Sequence, residues 1–453
     1  MEHILIYRWI IFVHDKGAMH VSVIGTNEIG LSTAIMLAYM NHFVMLVDDN
    51  QAKIELLRNN SLHYYEPYLN DALKIVNSSI YYTTNLTAAI EQSDIVFFTN
   101  DIGYNLLEVA HIFAETLRDK FRILVNKSPS QPGLTSTVNK IIREKSSNFS
   151  IVYEIPSVNQ TSVVMDTFYP EKIVLGVDSH VPSKILEELY NPLIDKSIIL
   201  PTFVPLPHRE DGKLMVTDIS SAEIAYHADK VFKGLKSSYV NEISNLAKDN
   251  GAKIDEILRV MKVSGINSLV PQYGLGWTRK EYGESFEVLA DSAQKSSLEI
   301  PLIESALRSN YAQRDILIHR LQKILGNLHG KTIGILGLTY KPFTDDLTDS
   351  PAVDIIRVLL EHGCEIKAHD PVANFKMTMK YPDLNVWCCD GIHDLFKDTD
   401  IIVLCTEWPE YFDLDWFDLG QTMREARVFD ARNCLSQKDF SSMGYELHSF
   451  AKE

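Results

Sequence analysis

The stretch HVSVIGT, His20 to Thr26, decides the fold. It is a β-branched apolar run that ends on a glycine. The helix-like stretch IGLSTAIMLAYMNH follows at residues 29–42, and a second apolar run, FVMLVDD, occupies Phe43–Asp49. Strand, turn, helix and strand in that order form a βαβ unit. The texture continues in DIVFFTND (94–101), FRILVNKS (121–128), FSIVYEI (149–155) and KIVLGV (172–177), with helical stretches between several of them. Such alternation predicts a doubly wound, mostly parallel α/β sheet.

Near residue 219 the pattern changes. Ser220 or Ser221 is placed to cap a long helix that Gly251 ends, and helical sequence runs on to about Gly330. The loop VPQYGLGWTRKEYGES (270–285) interrupts it. The α/β texture then returns. KTIGILGL (331–338) reads as a strand. SPAVDIIRVLLEHG reads as a helix with Ser350 at its cap, Pro351 in its first turn and Gly363 at its end. EIKAHD, TDIIVLC and RVFDARN read as further strands. The expected organisation is an extension at 1–18, a Rossmann-like domain at 19–218, a helical central region at 219–330 and a second Rossmann-like α/β domain at 331–453. Residues 1–18 precede the first convincing strand, so they read as an extension or as a mis-assigned start ahead of Met19.

Composition narrows the partners. The chain has 453 residues, 45% hydrophobic and 23% charged, which excludes disordered, collagenous and coiled-coil classes. Its net charge of −17 repels phosphate backbones, so neither nucleic acid nor an anionic membrane is expected as main partner. A local basic pocket for a small phosphate ligand stays open. The apolar run Ile4–Val13 is too short to span a bilayer and carries Arg8 at its middle. It also lacks the plan of a signal peptide. The five cysteines, Cys364, Cys388, Cys389, Cys405 and Cys434, fit neither a disulfide framework nor a zinc signature. Thiols in a reducing, cytoplasmic setting are expected, and no metal site.

Gly25-Thr26-Asn27-Glu28-Ile29-Gly30 stands where a dinucleotide fingerprint belongs. The first glycine makes the tight turn and the last lets the helix pack on the strand. Asn27 replaces the middle glycine and adds a Cβ where a pyrophosphate would approach. Asp48 ends the second strand, 23 residues after Gly25, where a carboxylate would hold a ribose 2′-hydroxyl and repel a 2′-phosphate. The residues support two readings: an NAD site, or a purely structural turn.

Taken together, the chain from Met19 to about residue 435 resembles the UDP-glucose/GDP-mannose dehydrogenase family. VIGTNEIGLSTA and VDDNQAKIELL look like the family's cofactor segment, and NKSPSQPGLTSTV is similar to its KSTVPVGTT segment. SAEIAYHADKVFKGLKSSYVNEI resembles its long central helix. GLTYKPFTDDLTDSPAVDII, TEWPEYF and FDARN are similar to its GLxFKPxTDDxRxSPA, TEWxEF and DGRN motifs. The resemblance implies dimeric enzymes that oxidise the C6 alcohol of a nucleotide sugar to a carboxylate, by two hydride transfers to NAD through a cysteine thioester. It implies cofactor contacts from Gly25, Asn27, Ile29, Gly30, Asp48, Lys53 and Ser128. Substrate contacts would come from Gly274, Gly276, Lys341 and Arg432.

The departures matter as much. The family's cysteine lies in GxGxGGSCFPKD. The corresponding stretch keeps Gly274 and Gly276 but has Arg279 about where the thiol stands. The family's lysine aligns with Tyr226, its asparagine with Lys230, and the threonine of KSTVP with Pro129. EIPSVNQT replaces NPEFLREG, with Pro156 near the family's glutamate, and Thr348 replaces the arginine of DxRxS. Thioester chemistry needs a thiolate. Tyr226 and Lys230, at i and i+4, share a helix face and read either as a redox acid/base pair or as a plain helix-surface pair. Lys341 is either a phosphate contact or a solvated loop lysine. Arg432 either touches substrate or caps the last strand. Two functions follow: a diverged NAD-dependent nucleotide-sugar oxidoreductase working in one two-electron step, or an inactive nucleotide-sugar-binding pseudoenzyme.

Overall fold

The computed structural model describes residues 17–451 except 63, 100–102, 104, 118–119, 160–161, 198–211, 264–272 and 436–438. Residues 1–16 of the expected extension lie outside the described residues. The chain divides into two compact units, Met1–Tyr226 and His227–Glu453.

The first unit holds an eight-stranded sheet. Its strands are β1 His20–Ile24, β2 Phe43–Val47, β3 Ile80–Thr83, β4 Ile95–Phe98, β5 Arg122–Asn126, β6 Phe149–Glu154, β7 Lys172–Val177 and β8 Lys213–Asp218. They lie in the order β3-β2-β1-β4-β5-β6-β7-β8. All neighbours are parallel except β6 and β7. The expected parallel sheet is therefore present, with a reversed pair at one edge. β4 and β5 are buried along their whole length, as helices on both faces of a parallel sheet require. The order reverses between β1 and β4. Ligands of such sheets bind in the crevice at the carboxyl ends of the strands there.

The second unit repeats the plan. Its strands are β9 Thr332–Leu336, β10 Glu365–His369, β11 Val386–Cys388, β12 Ile401–Leu404, β13 Arg427–Asp430 and β14 Glu446–Ser449. They run in parallel in the order β11-β10-β9-β12-β13-β14. The helices that carry Val240, Leu258, Leu317 and Leu321 pack on this sheet, because those residues share one apolar core with Ile333, Ile335 and Val403.

Two helix starts differ from expectation. The long helix is Ile219–Asp249, and Asp218 rather than a serine accepts the Ser221 amide at its start, at 2.9 Å. Ser350 occupies the cap position of Pro351–Glu361, but its hydroxyl donates to the Leu338 carbonyl instead of capping. Gly251 and Gly363 have φ of +67° and +78°, the left-handed conformation of a helix end.

The turn after β1 explains its glycines. Gly25 has φ +112°. A Cβ on Gly30 would lie 2.1 Å from the Gly25 carbonyl oxygen, so the helix Glu28–Tyr39 can approach β1 this closely only without a side chain there. Gly30→Ala is accordingly expected to cost about 2–3 kcal/mol in chemical denaturation, since the overlap is with backbone rather than a movable side chain. An unchanged midpoint would refute this account of the turn.

Candidate functional site

In the first unit the crevice between β1 and β4 is stitched by Asn27. Its φ of −66° is ordinary extended backbone, so the position needs no glycine for conformation. Its Oδ1 accepts the Gly30 amide at 2.8 Å, and its Nδ2 donates to the Thr99 carbonyl beyond β4 at 2.9 Å. The middle glycine has thus been exchanged for a helix cap. Ile29 lies half-buried in the first turn of the same helix.

Asp48 is fully buried at the end of β2. Its carboxylate accepts the Asn50 amide at 2.8 Å and the Thr26 hydroxyl, and Lys53 Nζ stands 3.8 Å away. A carboxylate has about four lone-pair positions, so acceptor capacity for a ribose hydroxyl remains. The turn at Gly25, the close approach at Gly30 and this strand-end carboxylate fit the adenosine half of NAD. Gly25, Asn27, Ile29, Gly30 and Asp48 lie along this one βαβ unit and Lys53 in the helix after it, where the sequence placed them.

Past β5 lies a polar cluster only partly foreseen. Ser128 is buried and donates to Asn126 Oδ1 at 2.7 Å, while Asn126 Nδ2 donates to Ser130 and Thr135. Lys127 Nζ and Glu154 Oε1 form an ion pair at 2.7 Å with both side chains more than nine-tenths buried, and Tyr190 donates to the other Glu154 oxygen at 2.7 Å. Glu223, also fully buried, accepts the amides of Gly133 and Thr135. Tyr226 sits in the apolar core of this unit, and with Glu223 it adds to the burial that raises the Tyr153 phenol. Glu154, Tyr190 and Glu223 were missed because nothing local marks them; they meet only through the fold.

In the second unit the candidates gather at the carboxyl ends of β9, β12 and β13. Arg432 donates from Nε to the Cys405 carbonyl at 2.6 Å and from Nη2 to the Tyr340 carbonyl at 2.7 Å, and pairs with Glu407 at 3.3 Å. It knits three loops together. Lys341 Nζ lies 5.3 Å from the Tyr340 ring centre. Gly274 and Gly276 are held by close approaches: a Cβ would meet the Ala431 carbonyl at 2.4 Å and Asn310 Oδ1 at 2.2 Å. Gly276 also has φ +82°. Lys230 donates to the Glu281 carbonyl at 3.4 Å, and burial lowers its ammonium pKa. Asp370, at the end of β10, is a buried strand-end carboxylate of the second unit. It accepts the Leu338 amide and the Trp408 indole N–H.

Three family models of one family match in chain order. The UDP-glucose/GDP-mannose dehydrogenase NAD-binding domain matches residues 19–194, the central domain 220–312, and the UDP-binding domain 334–437. The chain belongs to the UDP-glucose/GDP-mannose dehydrogenase family. The UDP-glucose 6-dehydrogenase TuaD of Bacillus subtilis is 26% identical over 446 residues, covering 95% of this chain and 93% of that protein. The UDP-glucose 6-dehydrogenase of Rickettsia conorii is 26% identical over 450 residues, covering 95% and 99%. Among solved structures, a UDP-glucose dehydrogenase from Pyrobaculum islandicum superposes with a TM-score of 0.83 at 24% identity, over 98% of this chain and 100% of that one. The family's cofactor is NAD, and its UDP-binding domain points to a nucleotide-sugar ligand. Among the described residues no helix is long and apolar enough to cross a membrane.

Arg279 is held by two carboxylates of the helix that follows it, Glu284–Lys295. Its guanidinium makes paired bonds to Glu287 at 2.9 and 2.7 Å and one to Glu284 at 3.1 Å, with the side chain 46% exposed. Burial pushes the Cys364 and Cys389 thiols up to about 11 and Cys405 to about 12, and raises Cys388 and Cys434 as well. Burial thus disfavours the thiolate at each of the five cysteines.

The buried pair gives a stability test. Glu154→Ala would strand the Lys127 ammonium in the core, at a cost of about 3–5 kcal/mol. The double variant Lys127→Met/Glu154→Leu removes both charges and is expected to be more stable than Glu154→Ala. Denaturant midpoints that simply add would show that the pair is not coupled.

Proposed function

We propose that this chain is a diverged NAD-dependent nucleotide-sugar oxidoreductase that performs a single two-electron oxidation of a CH–OH group. The observation that carries the reading is the thiol inventory. The resemblance's route to a carboxylate stores the aldehyde-level carbon on a thiolate. Here Arg279 occupies that stretch, and burial disfavours the thiolate at all five cysteines. An alcohol-to-carbonyl step needs no covalent intermediate. Bound NAD would supply the hydride acceptor, and a protein base takes the alcohol proton.

Tyr226 and Lys230 are our candidates for that base. Burial lowers the Lys230 pKa, the shift a lysine needs to accept a proton near neutrality. Gly274, Gly276, Lys341 and Arg432 are assigned to the nucleotide sugar, and Ser128 joins the cofactor set. Five unpaired cysteines support a cytoplasmic setting. One observation favours the second reading, a binding protein without turnover. Glu28 opens the helix whose N-terminus would face a pyrophosphate, and a carboxylate there opposes the anion.

Incubation with NAD and a panel of UDP-sugars decides between them. The expected result is one NADH per sugar, no uronate, and loss of turnover in Tyr226→Phe. Two NADH per sugar with uronate formed would overturn the proposal. No NADH with any sugar would favour the pseudoenzyme.

We also propose a homodimer built on the helix Ile219–Asp249. Phe232, Tyr239 and Leu246 recur every seven residues on it and are 56%, 47% and 60% exposed. An apolar stripe at that spacing suits helix-on-helix pairing. Phe232→Glu/Leu246→Glu is expected to sediment as a monomer where the parent chain sediments as a dimer; a parent chain that is already monomeric would refute this.

A further inference from the structure

Asn27 makes two bonds, and a helix start asks for only the first. As the cap of the helix Glu28–Tyr39 it accepts the Gly30 amide on Oδ1 at 2.8 Å. Three other helices of the first unit are capped in the same way, by Asn50, Asn85 and Asn105. Among the described residues, the side-chain nitrogens of those three make no bond. Asn27 differs. Its Nδ2 reaches to the Thr99 carbonyl at 2.9 Å, across 72 residues of chain and from the turn after β1 to the end of β4.

Thr99 is a fixed anchor. It is fully buried, and its amide and hydroxyl both donate to the Ile24 carbonyl, each at 3.0 Å. A Cβ on Gly30 would lie 2.5 Å from its Oγ1, so the end of β4 is pressed against the turn. The movable partner is Asn27, whose half-buried side chain turns about its own torsions. The bridge lies where the strand order reverses, at the helix N-terminus that is the place for a pyrophosphate. A glycine at this position leaves that approach open. Here a side chain runs from the turn to the far strand, and the Gly30 amide, a first-turn donor, is already taken.

We infer that Asn27 is a latch across the cofactor crevice: its side chain must leave the Thr99 carbonyl before the pyrophosphate of NAD is seated, whereas an adenosine held at Asp48 binds with the latch shut. The inference rests on the reading of this crevice as the NAD site, and goes beyond it by placing a cost of binding in one movable bond. Opening leaves the Thr99 carbonyl without its donor. A pyrophosphate ligand therefore binds at the expense of one neutral hydrogen bond, about three- to tenfold in affinity. Adenosine carries none of that loss.

Calorimetric titration of the full chain with NAD, ADP-ribose and adenosine reads the latch. The first two carry the pyrophosphate and the third lacks it. Asn27→Ser keeps an oxygen to cap the Gly30 amide but is too short to reach Thr99, so it removes the bridge alone. It is expected to bind NAD and ADP-ribose about three- to tenfold more tightly than wild type, and adenosine no differently. Asn27→Gly, which also removes the Cβ, is expected to gain at least as much. Equal affinities for ADP-ribose in wild type and Asn27→Ser would overturn the inference. So would a gain for adenosine as large as that for ADP-ribose, because the residue would then shape the whole crevice rather than latch the pyrophosphate. A gain in Glu28→Gln with none in Asn27→Ser would place the cost on the first-turn carboxylate instead, and would equally overturn it. If Asn27→Gly fails to fold, Asn27→Ser decides, since it keeps the cap. If neither wild type nor either Asn27 variant binds NAD or ADP-ribose, the NAD reading of this crevice falls together with the latch. That outcome is distinct from NAD binding that the substitutions leave unchanged, which refutes the latch alone.

Discussion

A parallel strand covered by helices on both faces can meet a ligand only at its ends. That constraint organises both units. β4, β5, β9 and β12 carry no exposed residue, so the polar chemistry is displaced to their carboxyl termini. Asp48, Thr99, Asn126, Lys127 and Glu154 occupy those ends in the first sheet, and Asp370, Thr406 and Asp430 in the second, all nine-tenths or more buried. The sites are consequences of the topology. The order of strands decides which ends flank a crevice, and the residues after those ends face whatever enters it.

Much of this was legible because buried parallel strands announce themselves as apolar runs. β1, β2, β4 to β7, β9, β10, β12 and β13 stand where those runs stand. The missed strands are the ones the constraint does not reach. β3 and β8 lie at the two edges of the first sheet and β11 and β14 at the edges of the second. β8 shows no buried residue and so no hydrophobic signature. Site residues divide the same way. Gly25, Gly30 and Asp48 were readable from spacing along one βαβ unit. Glu154 and Glu223 were not, since each meets its partners only across tens of residues of chain.

Asn27 shows why a degraded motif need not mean a degraded turn. A glycine is indispensable where φ is positive or where another backbone lies in the way. Gly25 meets the first condition and Gly30 the second. Asn27 meets neither: its backbone is ordinary, and its amide satisfies one end of the helix and one strand-end carbonyl. What the substitution changes is the space left for an anion, not the fold. The expected weakness of the motif is therefore a matter of ligand fit alone.

The two units bury carboxylates by opposite means. In the first, Glu154 is bonded by both Lys127 and Tyr190, and Glu223 is held by two backbone amides. Complete partnering offsets desolvation, and such groups serve to fix geometry. In the second, Glu281 has a single backbone amide on its carboxylate, Arg432 beside it is shared with Glu407, and desolvation raises its pKa. A carboxylate fully satisfied by its own protein gains little from a ligand. A carboxylate left with a single bond responds more to a neighbouring charge than one its own protein satisfies.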